Sequence, residues 1–139
     1  MNKSASSRRK VVLVIDDNET LDKILASMMG KEGQYEVVWT KNGHDGIEKA
    51  LLLHPDIIVL DLFLPEGENG WQVARSLRSN RTTADIPILI ASGEKSVFDD
   101  KPVEFNPELA DGYLRKPYFV EELGQAIEQA IASHDSINR

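Results

Sequence analysis

The chain has 139 residues, no cysteine, and 16 basic against 23 acidic side chains, for a formal charge of −7. That length supports one domain with its own core, and the missing cysteines exclude disulfides, thiolate metal sites and a cysteine nucleophile. The acidic balance argues against nucleic acid as a direct partner, and no apolar run approaches the length of a membrane span.

Residues 1–9 are polar, with serines and the pair Arg8-Arg9, and read as a disordered leader. The apolar run Val11–Ile15 is too short for a signal peptide and ends in Asp16-Asp17, so a cytoplasmic protein is expected. That run reads as a buried strand. Asp17 or Asn18 can cap a following helix, whose apolar positions Leu21, Ile24, Leu25 and Met28 or Met29 keep helical spacing until Gly30 to Gly33 closes it. Tyr35–Thr40 is the next strand, and Asn42-Gly43 opens a helix of Ile47, Ala50 and Leu51 that stops before Pro55. Ile57–Asp61 is a strand apolar throughout until its terminal acid, and Leu62-Phe63-Leu64-Pro65 follows.

A loop rich in Gly and Glu leads into a helix with Trp71, Val73, Ala74 and Leu77 as buried candidates, and Ile86–Ala91 forms a strand ending in Ser92-Gly93. Glu94–Asp111 carries Pro102 and Pro107, so any helix there is short or broken. Gly112–Leu114 is a brief strand ending at Arg115-Lys116-Pro117. A last helix from Val120 to Ala132 lines up Val120, Leu123, Ala126, Ile127, Ala130 and Ile131 in one stripe, and residues 134–139 read as a polar tail. Trp39 and Trp71 read as packing residues, and His44, His54 and His134 as surface residues.

This alternation of strand and helix is the pattern of an α/β, doubly wound, five-stranded parallel sheet with helices on both faces and a site along its carboxyl edge. The strand ends bring Asp16, Asp17, Asp61, Ser92 and Lys116 to that edge. Three carboxylates together repel, and a hard divalent cation with oxygen ligands, such as Mg²⁺, relieves them. A lysine and a serine opposite suit the oxygens of a phosphorylated Asp61, which points to phosphoryl transfer onto a carboxylate. Taken singly, each residue keeps a plainer reading: Asp16 and Asp17 as helix caps, Asp61 as a loop acid, Ser92 as a turn serine, Lys116 as a solvated lysine.

Over Lys10 to Ala132 the chain resembles the receiver domain of two-component response regulators. The resemblance rests on Asp16-Asp17, on Asp61-Leu62-Phe63-Leu64-Pro65, on Pro87-Ile88-Leu89-Ile90-Ala91-Ser92, and on Gly112-Tyr113-Leu114-Arg115-Lys116-Pro117. It implies a flavodoxin-like strand order 2-1-3-4-5 and a receiver domain over residues 10–133. It implies Asp61 as the phosphoacceptor, with Mg²⁺ held by Asp16, Asp17, Asp61 and the backbone carbonyl of Phe63. Ser92 and Lys116 would bind the phosphoryl group, and Tyr113 would turn inward with Ser92 as the switch. The implied phosphodonor is a histidine kinase or a histidine phosphotransfer protein, and the implied reader is an output protein of unknown identity. Such a domain is not an enzyme beyond catalysing its own phosphorylation and dephosphorylation.

Two departures from the family pattern stand out. Gly70 comes one residue later than usual, so Glu66–Asn69 holds an insertion that should reshape a loop and not the site. The prolines between Ser92 and Lys116 imply an atypical fourth helix. That helix borders the usual output and dimer face, so a homodimer of the usual form is in question. Phe63 and Glu94 flank the phosphate position and should influence water access. The competing readings are an aspartate-nucleophile phosphatase, against which the adjacency of Asp16 and Asp17 and the lack of a cap domain argue, and a receiver-like interaction module that is never phosphorylated.

Overall fold

The structure is a computed structural model that describes residues 9–18, 34–93 and 105–137. The helix read over Leu21–Met29 and most of the proline-containing stretch, with Glu94, lie outside the described residues. Five strands, β1 (Lys10–Ile15), β2 (Tyr35–Thr40), β3 (Ile57–Leu60), β4 (Ile88–Ser92) and β5 (Gly112–Arg115), form one parallel sheet in the order β2-β1-β3-β4-β5. Helices α1 (Gly43–Leu53), α2 (Gly70–Ser79) and α3 (Val120–Ile137) cover it, and a short 3-10 turn spans Pro65–Gly67.

The three central strands, β1, β3 and β4, are almost wholly apolar because both of their faces are covered, whereas the edge strands β2 and β5 carry polar and exposed positions. Successive side chains alternate across the sheet. Leu13, Ile15, Ile58, Leu60, Ile88 and Ile90 therefore meet Ala50 of α1 and Val73, Ala74 and Leu77 of α2 on one face. Val12, Val14, Ile57, Val59, Leu89 and Ala91 meet Leu123, Ile127 and Ala130 of α3 on the other. No helix among the described residues is long and apolar enough to cross a membrane.

Several expectations need correction. β4 starts at Ile88, not Ile86: Pro87 has no N–H for the ladder, and Ile86 instead closes a turn onto the Thr83 carbonyl at 3.2 Å. Leu51 is 40% exposed, because the buried line of α1 runs through Gly43, Gly46 and Ala50. Trp71 is only half-buried and makes an edge-on contact with Phe105, ring centroids 6.1 Å apart. The last helix continues past Ala132 to Ile137, and His134 is buried, not on the surface. His134 extends the stripe of Ile127 and Ala130 by one turn, and its Nδ1 lies 3.0 Å from Asp111 Oδ1. His44 and His54 are exposed as expected.

Asp111 belongs to a polar knot at the amino end of the sheet. Its Oδ2 accepts the Ile88 amide at 2.9 Å and Arg78 Nη2 at 3.1 Å. Arg78 also donates to the carbonyls of Leu109, Ala84 and Ile86 at 3.2, 2.9 and 2.7 Å, tying α2 to the turns that enter β4 and β5. A second link joins Glu128 of α3 to Lys10 at 2.7 Å and to the Tyr35 hydroxyl at 2.5 Å.

Arg78→Met should destabilise the domain by about 3–5 kcal/mol, because it strands a buried carboxylate; urea unfolding would show a lower midpoint at an unchanged slope. For Glu128, burial works to raise the carboxyl pKa, but the bonds from Lys10 and Tyr35 and the Lys10 charge outweigh it, and the pKa is lowered. A lowered carboxylate stabilises the fold above its unfolded pKa and loses that contribution as pH falls through the folded value. Glu128→Gln should therefore cost below about 1 kcal/mol near pH 7, as for a half-exposed pair, with a difference that closes below about pH 4 in urea titrations.

Candidate functional site

The parallel ladder continues one step beyond each strand and sets the site. The Asp16 amide donates to the Thr40 carbonyl at 3.0 Å, the Asp61 amide to the Ile15 carbonyl at 3.0 Å, and the Lys116 amide to the Ser92 carbonyl at 2.9 Å. Ile15 lies beside Leu60, Leu60 beside Ile90, and Ser92 beside Arg115. The residues after β1, β3 and β5 and the last of β4 are thus brought level along one edge. The carboxyl edge of such a sheet is where ligands bind.

Asp61 is 8% exposed and Asp16 is 4% exposed, while Ser92 is fully buried. Asp61 Oδ1 accepts the Ser92 hydroxyl at 3.0 Å and the Phe63 amide at 3.2 Å, and its Oδ2 lies 3.4 Å from Lys116 Nζ. Asp16 accepts the Asn18 amide on Oδ1 at 2.9 Å and the Lys116 ammonium on Oδ2. Asp17 is exposed, yet one ligand atom each from Asp16, Asp17 and Asp61 falls within 4.8 Å of the others. The backbone carbonyl of Asp16 accepts Trp39 Nε1 at 2.7 Å. Asp16, Asp17, Asp61, Ser92 and Lys116, five residues picked from distant strand ends, are therefore one cluster. Tyr113, on β5, has 37% of its surface in solvent.

The charges in this cluster do not balance. Burial raises the Asp16 pKa, Asp61 adds to the effect, and the bonds from Lys116 and Asn18 reduce it without cancelling it. Burial works to lower the pKa of Lys116, but the hydrogen bond and charge of Asp16 and the charge of Asp61 win, and the pKa is raised. The two directions differ in their leading cause: burial outweighs the partners of Asp16, whereas for Lys116 the two neighbouring carboxylates together outweigh burial. Burial, then the Asp61 charge, raises the Tyr113 pKa as well. Three oxygen donors with excess negative charge fit a hard divalent ion such as Mg²⁺.

The structure supplies the framework around the site. Gly70 opens α2 against the end of β3, where a Cβ would lie 2.3 Å from the Asp61 carbonyl oxygen, so a side chain is excluded. Its amide donates to the Leu62 carbonyl at 2.8 Å. The loop before it passes through the 3-10 turn, where Glu66 and Gly67 take φ of 61° and 75°. Phe63 bridges Asn69 across this loop and is 55% exposed. A cleft of about 750 Å³ lined by Phe63, Trp71, Arg75 and Phe105 borders the loop but does not contain the carboxylates. The Lys116–Pro117 peptide bond is cis.

Residues 12–128 match the family model of the response regulator receiver domain. The chain is 34% identical over 126 residues to the DNA-binding dual master transcriptional regulator RpaA of Synechocystis sp., covering 91% of this chain and 51% of that protein. It is 32% identical over 121 residues to protein PilH of Pseudomonas aeruginosa, covering 87% of this chain and 97% of PilH. The chain thus spans about half the length of the first relative and nearly all of the second. Among solved structures, the receiver domain of the sensor histidine kinase PA1611 of P. aeruginosa, described with magnesium coordinated in its active site cleft, superposes with a TM-score of 0.74 at 21% identity, over 90% of this chain and 99% of that one. With the strand order, the edge cluster and the family match in agreement, the chain belongs to the response regulator receiver domain family.

Proposed function

We propose that this domain is a signalling switch in which Asp61 accepts a phosphoryl group from a phosphohistidine. The observation that carries the reading is the convergence on one buried carboxylate of a hydroxyl from β4 and an ammonium from beyond β5, beside two further acids. Asp16, Asp17 and Asp61 would hold Mg²⁺, in keeping with the magnesium of the PA1611 receiver domain, with the backbone carbonyl of Phe63 as a fourth protein ligand. That carbonyl takes no part in the bridge to Asn69, whose hydrogen bonds run from Leu64 to Glu68 and from Gly70 to Leu62. Bound there, the ion would neutralise phosphoryl oxygens that the carboxylates otherwise repel.

The chain's own groups supply position and charge. An Asp61 oxygen attacks the phosphorus, the O–P bond forms as the N–P bond breaks, and the electron pair returns to the donor imidazole, which takes a proton from solvent. Lys116 pairs with the new phosphoryl oxygens, and the Ser92 hydroxyl turns from Asp61 Oδ1 to one of them. Tyr113, partly exposed before transfer, follows Ser92 inward and changes the surface that a partner reads. The donor is a cytoplasmic histidine kinase or histidine phosphotransfer protein, and the reader is an output domain or protein.

Incubation with Mg²⁺ and acetyl phosphate should give a single acid-stable, base-labile phosphoryl adduct by intact mass, absent in Asp61→Asn. Lys116→Ala should slow its formation by about 10²-fold, as for loss of one charged stabilising donor. An equal adduct on Asp61→Asn would sink the reading. Trp39, bonded to the Asp16 carbonyl, offers a second readout. Its emission should change saturably with Mg²⁺ in a Trp71→Phe background, and Asp17→Asn should weaken the apparent affinity by about tenfold or more.

A further inference from the structure

Glu68 lies in the loop between β3 and α2, and its side chain leaves that loop. Its Oε1 accepts the amide of Gly43, the first residue of α1, at 2.7 Å. That amide is one of those a helix start leaves without an intrahelical partner, and a carboxylate there also meets the positive end of the helix dipole. Asn42 serves a different amide, that of Asp45, at 2.8 Å. The fit at Gly43 is close: a Cβ there would lie 2.3 Å from Glu68 Oε2 and 2.6 Å from a Val73 methyl. Glycine at this position is what lets the carboxylate seat.

The same residue holds the loop from inside. The Glu68 carbonyl accepts the Leu64 amide at 3.1 Å, and the Glu68 amide donates to the Pro65 carbonyl at 3.2 Å. Between them Glu66 takes a left-handed conformation, which is strained for a residue other than glycine. Such a turn persists where its surroundings hold it. Just before it, Phe63 bridges Asn69 and turns its amide onto Asp61 Oδ1 at 3.2 Å. A continuous set of contacts therefore runs from the first amide of α1, through the Glu68 side chain and carbonyl, to Leu64, Phe63 and Asp61.

We propose that Glu68 is a positioning residue: by clamping the inserted loop to the start of α1, it sets the Phe63 backbone against Asp61 and thereby tunes how tightly the site takes a divalent cation. This rests on the reading of Asp16, Asp17 and Asp61 as the metal-holding set. Glu68 does not touch the ion; it acts through Phe63.

The test is the half-saturating Mg²⁺ concentration, read by Trp39 emission and by the rate of adduct formation from acetyl phosphate, for wild type, Glu68→Ala, Glu68→Asp and Glu68→Gln. The Ala and Asp variants, which cannot reach Gly43, should need about tenfold more Mg²⁺ while keeping the plateau rate, and Gln, which keeps an acceptor at the right length, should stay near wild type. Gly43→Ala, which displaces the carboxylate from the other side, should copy Glu68→Ala and stands in for it if that variant does not fold. Unchanged half-saturation in Ala and Asp overturns the proposal. So does a Gln variant as weak as Ala, or a plateau rate that falls in step with the melting temperature. A wild type with no Mg²⁺ response overturns the reading of the metal site, and this inference with it; a normal wild-type response beside unchanged variants overturns the inference alone.

Discussion

Two buried carboxylates share one ammonium at the carboxyl edge of the sheet, and much of the architecture makes sense as the means of holding them there. Asp16 and Asp61 come from neighbouring strands, Lys116 from the far strand, and each is set by a ladder bond made one step past its strand. Left to themselves, side chains so placed would move apart or take up water. The apolar strands beneath, covered on both faces, leave the backbone no such freedom. The excess negative charge is a standing electrostatic cost, and the proposed binding of a cation and a phosphoryl group at this edge rests on it.

The opposite end of the sheet is built differently. Asp111 there meets Arg78, His134 and the Ile88 amide, and Arg78 in turn satisfies three carbonyls. Charges and donors are matched, and the contacts join α2, α3 and the entries to β4 and β5. The hydrogen-bonded cluster that ties the helices to the sheet thus lies at the end where no chemistry is proposed. A sheet of short parallel strands suits this separation, because its two edges are held apart by the full length of the apolar core.

At the carboxyl edge, the loop after Asp61 is held by contacts of its own. It turns through two consecutive left-handed residues, Glu66 and Gly67, and Glu68 carries the loop's grip to α1. Gly43 and Gly70 permit the close approaches on either side of it. The edge carboxylates, Ser92 and Lys116 carry the proposed chemistry, and Glu68, which is not among them, ties the loop beside them to α1.

The strands, their order and the edge cluster were legible because each leaves a local mark: a continuous apolar run, a period, an acid or lysine where the run stops. Asp16, Asp61, Ser92 and Lys116 could be placed together from sequence because a parallel sheet sends every strand end to the same side. The limits of β4 and of the last helix were less legible, since Pro87 shortens one strand and a buried partner for His134 lengthens the helix, and neither effect is periodic. Arg78, Asp111, Trp39 and Glu68 left no mark at all. Each is an ordinary polar or aromatic residue until the fold sets it against a specific backbone group far along the chain. The sequence alone determined the sheet and which groups reach its edge, because both follow from local pattern and chirality; only the tertiary structure decided their charge balance and the clamp on the loop, because those depend on distances between segments that local pattern does not encode.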